Sequence, residues 1–178
     1  MFKHEKVLWI TRTAVLIALT VALQFFSLQL SNQFLTGSIV NFMLIMSVMT
    51  CGLATGLTVS AFTPILPTLL GFGPPWPLIP FIAAGNMALV TVWYFIGNRE
   101  IINNYVAYII AAVGGAVAKF LVLFLGVVQI ALPYILGLPE GNALSIMFSY
   151  PQLITASIGG VCATLLLPPL LKAINQRK

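Results

Sequence analysis

Charged side chains are scarce in this sequence. Only 6% of its 178 residues are charged, eight of them Lys or Arg and three Asp or Glu, whereas 60% are hydrophobic and the mean hydropathy is +1.07. A soluble domain carries roughly 25% charged residues, so the composition excludes that class. The pI is about 9.5, but the basic residues are scattered among apolar runs and do not form the stripe that binds nucleic acid. The sequence therefore predicts an all-α integral membrane protein.

Side chains for acid–base, metal and phosphate chemistry are nearly absent as well. The three acids, Glu5, Glu100 and Glu140, fall outside the apolar runs, and His4 is the single histidine. No HExxH, GxSxG or P-loop motif occurs, so we expect no catalytic site, no metal and no cofactor. The apolar runs also contain no acid to relay protons or cations. Energy for any transport would therefore have to come from a partner.

The apolar runs divide residues 1–178 into six candidate spans of a single membrane domain. A spanning helix needs about 20 mostly apolar residues, and the predicted spans are 8–29, 37–54, 55–71, 77–97, 104–126 and 151–173. The first run is too long for the core of a cleaved signal peptide. The third contains Pro64 and Pro67, which predict a kinked or partly irregular helix. Residues 127–150, which include Pro133 and Pro139, are predicted to form a long loop against the membrane surface.

The positions of the cations predict the orientation of the bundle. Lys and Arg favour the cytoplasmic side, and six spans put seven of the eight basic residues on one side. These seven are Lys3, Lys6, Arg12, Arg99, Lys172, Arg177 and Lys178. We therefore expect both termini in the cytoplasm, with the loops around 30–36, 71–77 and 127–150 on the outer side.

Alanine recurs at every fourth position in the first span. Ala14, Ala18 and Ala22 form one smooth ridge on a helix of about 3.6 residues per turn. Helices gain nothing hydrophobic by associating between lipid tails, so small residues that let backbones approach are typical of a docking face. Alanine is also common in membrane helices, which is the alternative explanation. The ridge begins beside Arg12 and thus rises from the predicted cytoplasmic side.

Lys119 is the eighth basic residue and lies inside the fifth span. At about 1.5 Å per residue it is roughly 22 Å from the start of the span, in the outer half of the bilayer. A lysine at mid-membrane costs about 2.5–3.5 kcal/mol on insertion scales, so it should face protein or water, unless its stem extends to the outer surface. Other polar residues project to a similar depth, namely Gln24, Asn41, Asn86 and Gln152. Each alone could make an interhelical hydrogen bond; their shared depth predicts a polar cavity in the outer third.

The outer loops add further candidates for substrate binding. These are Trp76, Gln129, Tyr134 and Tyr150. Proline-rich loops above a polar cavity are plausible lids, and pockets for small ligands combine apolar walls with a few placed polar groups. Trp and Tyr at this height are also typical of the aromatic belt at the membrane interface, which is the alternative interpretation.

Size, topology and motifs together resemble a known family. Six helices in under 200 residues, the Ala14-xxx-Ala18 motif and the segment Ala116-Val117-Ala118-Lys119-Phe120 are similar to the substrate-binding S components of prokaryotic energy-coupling factor (ECF) transporters. The resemblance covers essentially the whole chain. It implies a protein of the prokaryotic cell membrane that captures a water-soluble vitamin or related micronutrient on the outer side. It also implies partners, namely a transmembrane coupling subunit and two cytoplasmic ATPases, with docking through the alanine motif and toppling of the S component in the membrane.

The ligand is open at this point. No acid projects into the predicted pocket, which disfavours a cation such as thiamine unless aromatic faces alone hold it. Lys119 would suit a carboxylate or phosphate and so favours pantothenate, biotin, niacin or folate. If Lys119 extends to the surface, a near-neutral lining would fit riboflavin or cobalamin. The alternative function is a non-transport structural or accessory membrane protein; a channel is disfavoured because no polar stripe crosses all depths.

Overall fold

The computed structural model describes residues 2–99, 103–139 and 141–175, and this part of the chain is helical without a strand. Seven α-helices are α1 (Phe2–Gln29), α2 (Gln33–Cys51), α3 (Leu53–Leu69), α4 (Ile79–Gly97), α5 (Asn104–Leu123), α6 (Ala143–Met147) and α7 (Tyr150–Asn175). A single 3₁₀ turn, Trp76–Leu78, precedes α4, and a π-helix, Phe124–Ile135, continues α5. Two of the cations behind the predicted orientation, Arg177 and Lys178, lie outside the described residues.

Five segments are long and apolar enough to cross a membrane by length and composition. They are Glu5–Gln29, Gln33–Cys51, Trp76–Gly97, Asn104–Ile135 and Ala143–Ile174, and the shorter apolar helix Leu53–Leu69 accompanies them. The predicted all-helical fold class is confirmed at this level, as a bundle of five long apolar helices and one shorter one. Such helices are those of a membrane-embedded protein.

A single glycine separates α2 from α3. Gly52 has φ 89° and ψ 173°, a backbone conformation open essentially to glycine alone. Its N–H donates to the Val48 carbonyl at 2.9 Å, which closes α2. The chain therefore reverses over one residue, two positions before the boundary that the hydropathy pattern predicted at 54.

The segment after α5 differs most from the sequence prediction. We predicted a loop over 127–150, but helical structure continues to Ile135 and returns briefly as α6. The run from Phe124 to Leu132 is apolar except for Gln129 and contains no proline, so a helix can continue through it. Pro133 lies near the end of the π-helix, where the loss of one N–H donor breaks few further bonds. Reading that proline as the mark of a loop was the error.

The bundle contains two apolar cores. The larger surrounds the fully buried Trp93 and joins side chains from α2, α3, α4, α5 and α7. The smaller lies where α4 begins and α5 ends, and includes Leu78, Leu123 and Phe148. Helix α1 lies at the edge, against α2 and α3.

Candidate functional site

A cavity of about 510 Å³ lies at one end of the bundle. Three connections meet there: the turn between α1 and α2, the proline-rich segment between α3 and α4, and the segment leading into α7. Its polar lining consists of Gln24, Ser31, Asn32, Gln33, Thr36, Thr63, Asn86, Lys119, Gln152 and Thr155. The volume falls within the range of about 300–1,000 Å³ that is usual for small-molecule sites.

Lys119 is held inside the bundle at the wall of this cavity. Only 4% of the residue is exposed. Its Nζ donates to Asn41 Oδ1 at 2.6 Å and to Asn86 Oδ1 at 2.7 Å, so side chains from α2, α4 and α5 meet at one atom. The side chain therefore does not extend to the surface, which was the alternative considered from the sequence.

Close packing of α2 against α7 positions Asn41. A Cβ atom on Gly159 would lie 2.8 Å from Asn41 Cβ and 2.8 Å from the Phe42 nitrogen, so only glycine permits this approach. Across the contact, Asn41 Nδ2 donates to Thr155 Oγ1 at 3.3 Å. The hydroxyl of Thr155 in turn donates to the Gln152 carbonyl at 3.2 Å. The amide of Asn41 is thus fixed with its oxygen towards Lys119.

No acid in the described part of the chain accompanies Lys119. The only acid whose position is described is Glu5, in the first turn of α1. The cavity lies near the other end of that helix, at Gln24, about 28 Å away along the helix axis at ~1.5 Å per residue. A charge buried in an apolar bundle is costly unless it is paired or hydrogen-bonded. Here two amide oxygens stabilise the ammonium, and the positive charge itself is not neutralised within the described residues.

Gln24 lines the same cavity and carries an acceptor that is unpaired among the described residues. Its Oε1 atom is buried and makes no hydrogen bond to the described residues. The other predicted glutamine, Gln152, is already engaged, because its Nε2 donates to the Met147 carbonyl at 3.2 Å. Gln24 is therefore the glutamine that retains hydrogen-bonding capacity for a ligand.

Apolar side chains form the rest of the cavity lining. Phe72 lines the cavity and packs edge-on against Phe25 of α1, with ring centroids 5.3 Å apart. The segment that carries Phe72 is anchored to the end of α3, because Thr68 Oγ1 donates to the Pro74 carbonyl at 2.8 Å. Phe148 also lines the cavity, from the segment before α7. The cavity thus combines apolar side chains with the polar groups named above.

The structure brings five of the predicted binding residues together and leaves four elsewhere. Gln24, Asn86, Lys119 and Gln152 line the cavity, and Asn41 contacts Lys119. Trp76 is 56% exposed and Tyr134 is 83% exposed, and neither lines it. Gln129 and Tyr150 line a second cavity of about 330 Å³ between the π-helix and the segment around α6.

Sequence reasoning missed several lining residues. Thr155 lies three positions after Gln152 and so shares its face of α7, a spacing that would have identified it. Thr36 and Thr63 carry no such signal, because threonine is common on membrane helices. Phe72 and Phe148 belong to irregular segments, whose path the sequence pattern does not predict.

The predicted docking ridge lies on the outer face of α1. Ala14, Ala18 and Ala22 are all exposed. The opposite face of the helix is buried and carries Thr13 and Ser27, which make side-chain hydrogen bonds to Thr55 (3.2 Å) and Thr36 (2.9 Å). Helix α1 therefore packs through its hydroxyl-bearing face, and the alanine ridge makes no part of that contact.

Fold and site together define a class: an all-helical, membrane-type protein with a cavity of about 510 Å³ at one end of its bundle. In the described residues, no group of three or more His, Cys, Asp or Glu side chains is placed to hold a metal ion. Comparisons of the chain with protein-family models, curated proteins and solved structures found no match.

Proposed function

We propose that this chain is the solute-binding S component of an ATP-driven ECF importer in a prokaryotic cell membrane. It captures a water-soluble vitamin or related micronutrient, neutral or anionic, in the cavity beside Lys119. The proposal includes six membrane crossings, with both termini in the cytoplasm and the cavity open to the outer side. The observation that carries it is the cavity of about 510 Å³ with a buried lysine in its wall.

The bundle beneath the cavity supports capture of a solute over free passage. The larger apolar core fills this region, and Leu44, Val48, Trp93 and Leu167 in it are fully buried. A channel needs a path lined by polar groups or water through the whole thickness of the membrane. A solute bound beside Lys119 would meet packed side chains below it, so its release on the inner side requires a conformational change.

The energy for that change is assigned to partners. The proposal places the transmembrane coupling subunit against the alanine ridge of α1, whose three alanines are exposed. Small residues permit close backbone approach between helices in lipid. ATP binding and hydrolysis belong to the two cytoplasmic ATPases, and this chain is not an enzyme.

Affinity purification of the tagged full chain in mild detergent tests the proposal. We expect the coupling subunit, both ATPases and a retained small molecule to be detected by mass spectrometry. Ala18→Trp should lose the protein partners while keeping the small molecule, because the ridge and the cavity are separate surfaces. Val113→Trp is the matched control, since Val113 is 62% exposed on α5, and it should keep both.

Two results would contradict the proposal. Unchanged co-purification of the partners with Ala18→Trp removes docking through the ridge. A chain that retains no small molecule and no ATPase fits the alternative, a structural or accessory helix bundle of the membrane.

A further inference from the structure

The lysine in the cavity lacks a counterion among the described residues, and this restricts the solute. We infer that the cavity takes a small carboxylic acid with one negative charge, whose carboxylate binds at Lys119 and Asn86. The inference rests on the proposed function, because it names the chemical class of the solute that the same cavity captures.

The hydrogen-bond donors at Lys119 suit a carboxylate. An ammonium group has three N–H donors, and two of them are directed to Asn41 Oδ1 and Asn86 Oδ1. The third remains for the cavity, which Lys119 lines. The Asn86 amide nitrogen makes no hydrogen bond to the described residues, although its oxygen accepts from Lys119. Two neighbouring donors are therefore free, and a carboxylate offers one oxygen to each.

The charge of the residues that line the cavity also favours a carboxylate. The described lining residues other than Lys119 are uncharged, so a cationic solute would meet only repulsion. A neutral solute would leave the buried positive charge without a counterion in the described part of the chain, whereas an anion supplies one. A single carboxylate matches a single ammonium. A phosphate monoester would bring about 1.5–2 negative charges at pH 7, and no second cation among the described residues lines the cavity.

A second part of the solute is defined by Gln24. The buried Oε1 of Gln24, a residue that lines the cavity, has no partner among the described residues, and a buried unsatisfied acceptor costs free energy. A hydroxyl or amide N–H on the solute would satisfy it. The cavity of about 510 Å³ lies within the usual range for small-molecule sites, which suits a small acid. The solute is thus a compact acid that also carries a hydrogen-bond donor.

Titration with matched acid and neutral pairs tests this inference. The full chain, in lipid nanodiscs and washed free of retained solute, is titrated calorimetrically with nicotinate and nicotinamide, biotin and biotinamide, and pantothenate and panthenol. We expect at least one acid to bind, and its neutral counterpart to bind roughly 10- to 100-fold more weakly because the charge-assisted hydrogen bonds are lost. Inorganic phosphate should not compete. The ratio within a pair is measured in the unmodified chain and so does not depend on the folding of a variant.

Two variants then test whether Lys119 is responsible for the preference for the acid over its neutral counterpart. Lys119→Met should bring the ratio close to one, since the counterion is gone. Lys172→Met is the matched control, because Lys172 is an exposed cation in the last turn of α7; it should keep the wild-type ratio.

Failure of the inference can be distinguished from failure of the proposed function. Equal binding of acid and neutral partners, displacement by phosphate, a preference that survives Lys119→Met, or no binding of any acid overturns the inference. If riboflavin or another neutral vitamin is retained together with the ATPases, only the carboxylate assignment falls. If purification yields neither a retained solute nor the ATPases, the proposed function falls as well.

Discussion

At the scale of single residues, the contact between Lys119 and two asparagines is the most consequential feature of the chain. An apolar residue at position 119 would be cheaper in a membrane bundle, because a buried charge costs more than it returns unless its partners are well placed. The three side chains come from three helices, so their interaction depends on correct packing of the whole bundle. Without the ammonium, each amide oxygen loses its hydrogen-bond donor. Without one of the amides, the buried ammonium loses an acceptor.

A double-mutant cycle measures this dependence. Asn86→Leu should lower the free energy of unfolding by about 1–3 kcal/mol, because it removes one of two acceptors from a buried ammonium. In a Lys119→Met background the same substitution should cost at least about 1 kcal/mol less, since no charge is left to satisfy. Equilibrium unfolding in detergent micelles gives both values.

Asn104→Leu serves as the control for the cycle. Asn104 is exposed at the start of α5 and should show the same small cost in both backgrounds. Equal costs of Asn86→Leu with and without Lys119 would mean that the 2.7 Å contact carries no coupling energy.

At the scale of helices, the approach of α2 to α7 determines the geometry of the site. Gly159 lies where a Cβ atom would meet backbone, 2.8 Å from the Phe42 nitrogen and 2.9 Å from the Ser38 oxygen. Unlike the end of a flexible side chain, these backbone atoms cannot rotate away from an added Cβ atom. Glycine is therefore required at position 159 because a side chain would not fit there, and not because of its backbone conformation.

Gly159→Ala should therefore separate α2 from α7 and destabilise the protein. We expect a loss of roughly 1–3 kcal/mol, typical of overpacking, seen as a lower Tm in detergent. Gly114→Ala is the matched control on α5, because its Cβ would lie 3.4 Å from the nearest atom, Val92 Cγ1. That change should leave stability unchanged or raise it by up to ~1 kcal/mol through helix propensity. Equal Tm values for the two variants would show that α2 and α7 tolerate a wider separation.

The helices also show which parts of the fold the sequence could predict. The end of α1 at Gln29 and of α4 at Gly97 coincide with the predicted limits, because an apolar run there gives way to polar residues. The depth of Lys119 followed from the rise per residue, so its proximity to Asn41 and Asn86 could be anticipated. The exposed positions of Trp76 and Tyr134 could not, because aromatic residues near a membrane surface suit a pocket wall and an interfacial belt equally well.

At the scale of the whole molecule, the proposed binding and docking surfaces are separated along the bundle. The cavity lies where α1 ends and α7 begins. The alanine ridge starts near the other end of α1, close to Arg12. Lys6, Arg12, Arg99 and Lys172 are exposed, and the directions of α1, α4 and α7 place all four towards the end opposite the cavity. This polarity agrees with an outward-facing cavity and cytoplasmic termini under the positive-inside rule.

The proposal of six membrane crossings depends on whether the short helix α3 crosses the membrane. Its 17 residues span about 25 Å at ~1.5 Å per residue, somewhat less than a hydrocarbon core of ~30 Å. However, α2 leads away from the cavity and α3 leads back to it, because residues 31–33 and 73–75 line the same cavity. Helix α3 therefore runs back over about the same distance as α2, and in the proposed six-span topology a modest local thinning of the bilayer would accommodate its length.

Cysteine labelling tests the six-span topology directly. With Cys51 and Cys162 replaced by Ala, single cysteines are placed at Leu30 and Leu70, which are 67% and 66% exposed, and at the exposed Lys6 and Asn98. A membrane-impermeant maleimide should label positions 30 and 70 in intact cells, and positions 6 and 98 only after permeabilisation. Labelling of 30 and 70 from opposite sides would mean that α2 and α3 do not both cross. Reversal of all four would place the cavity on the cytoplasmic side, where it could not capture a solute for import, and the importer proposal would fail.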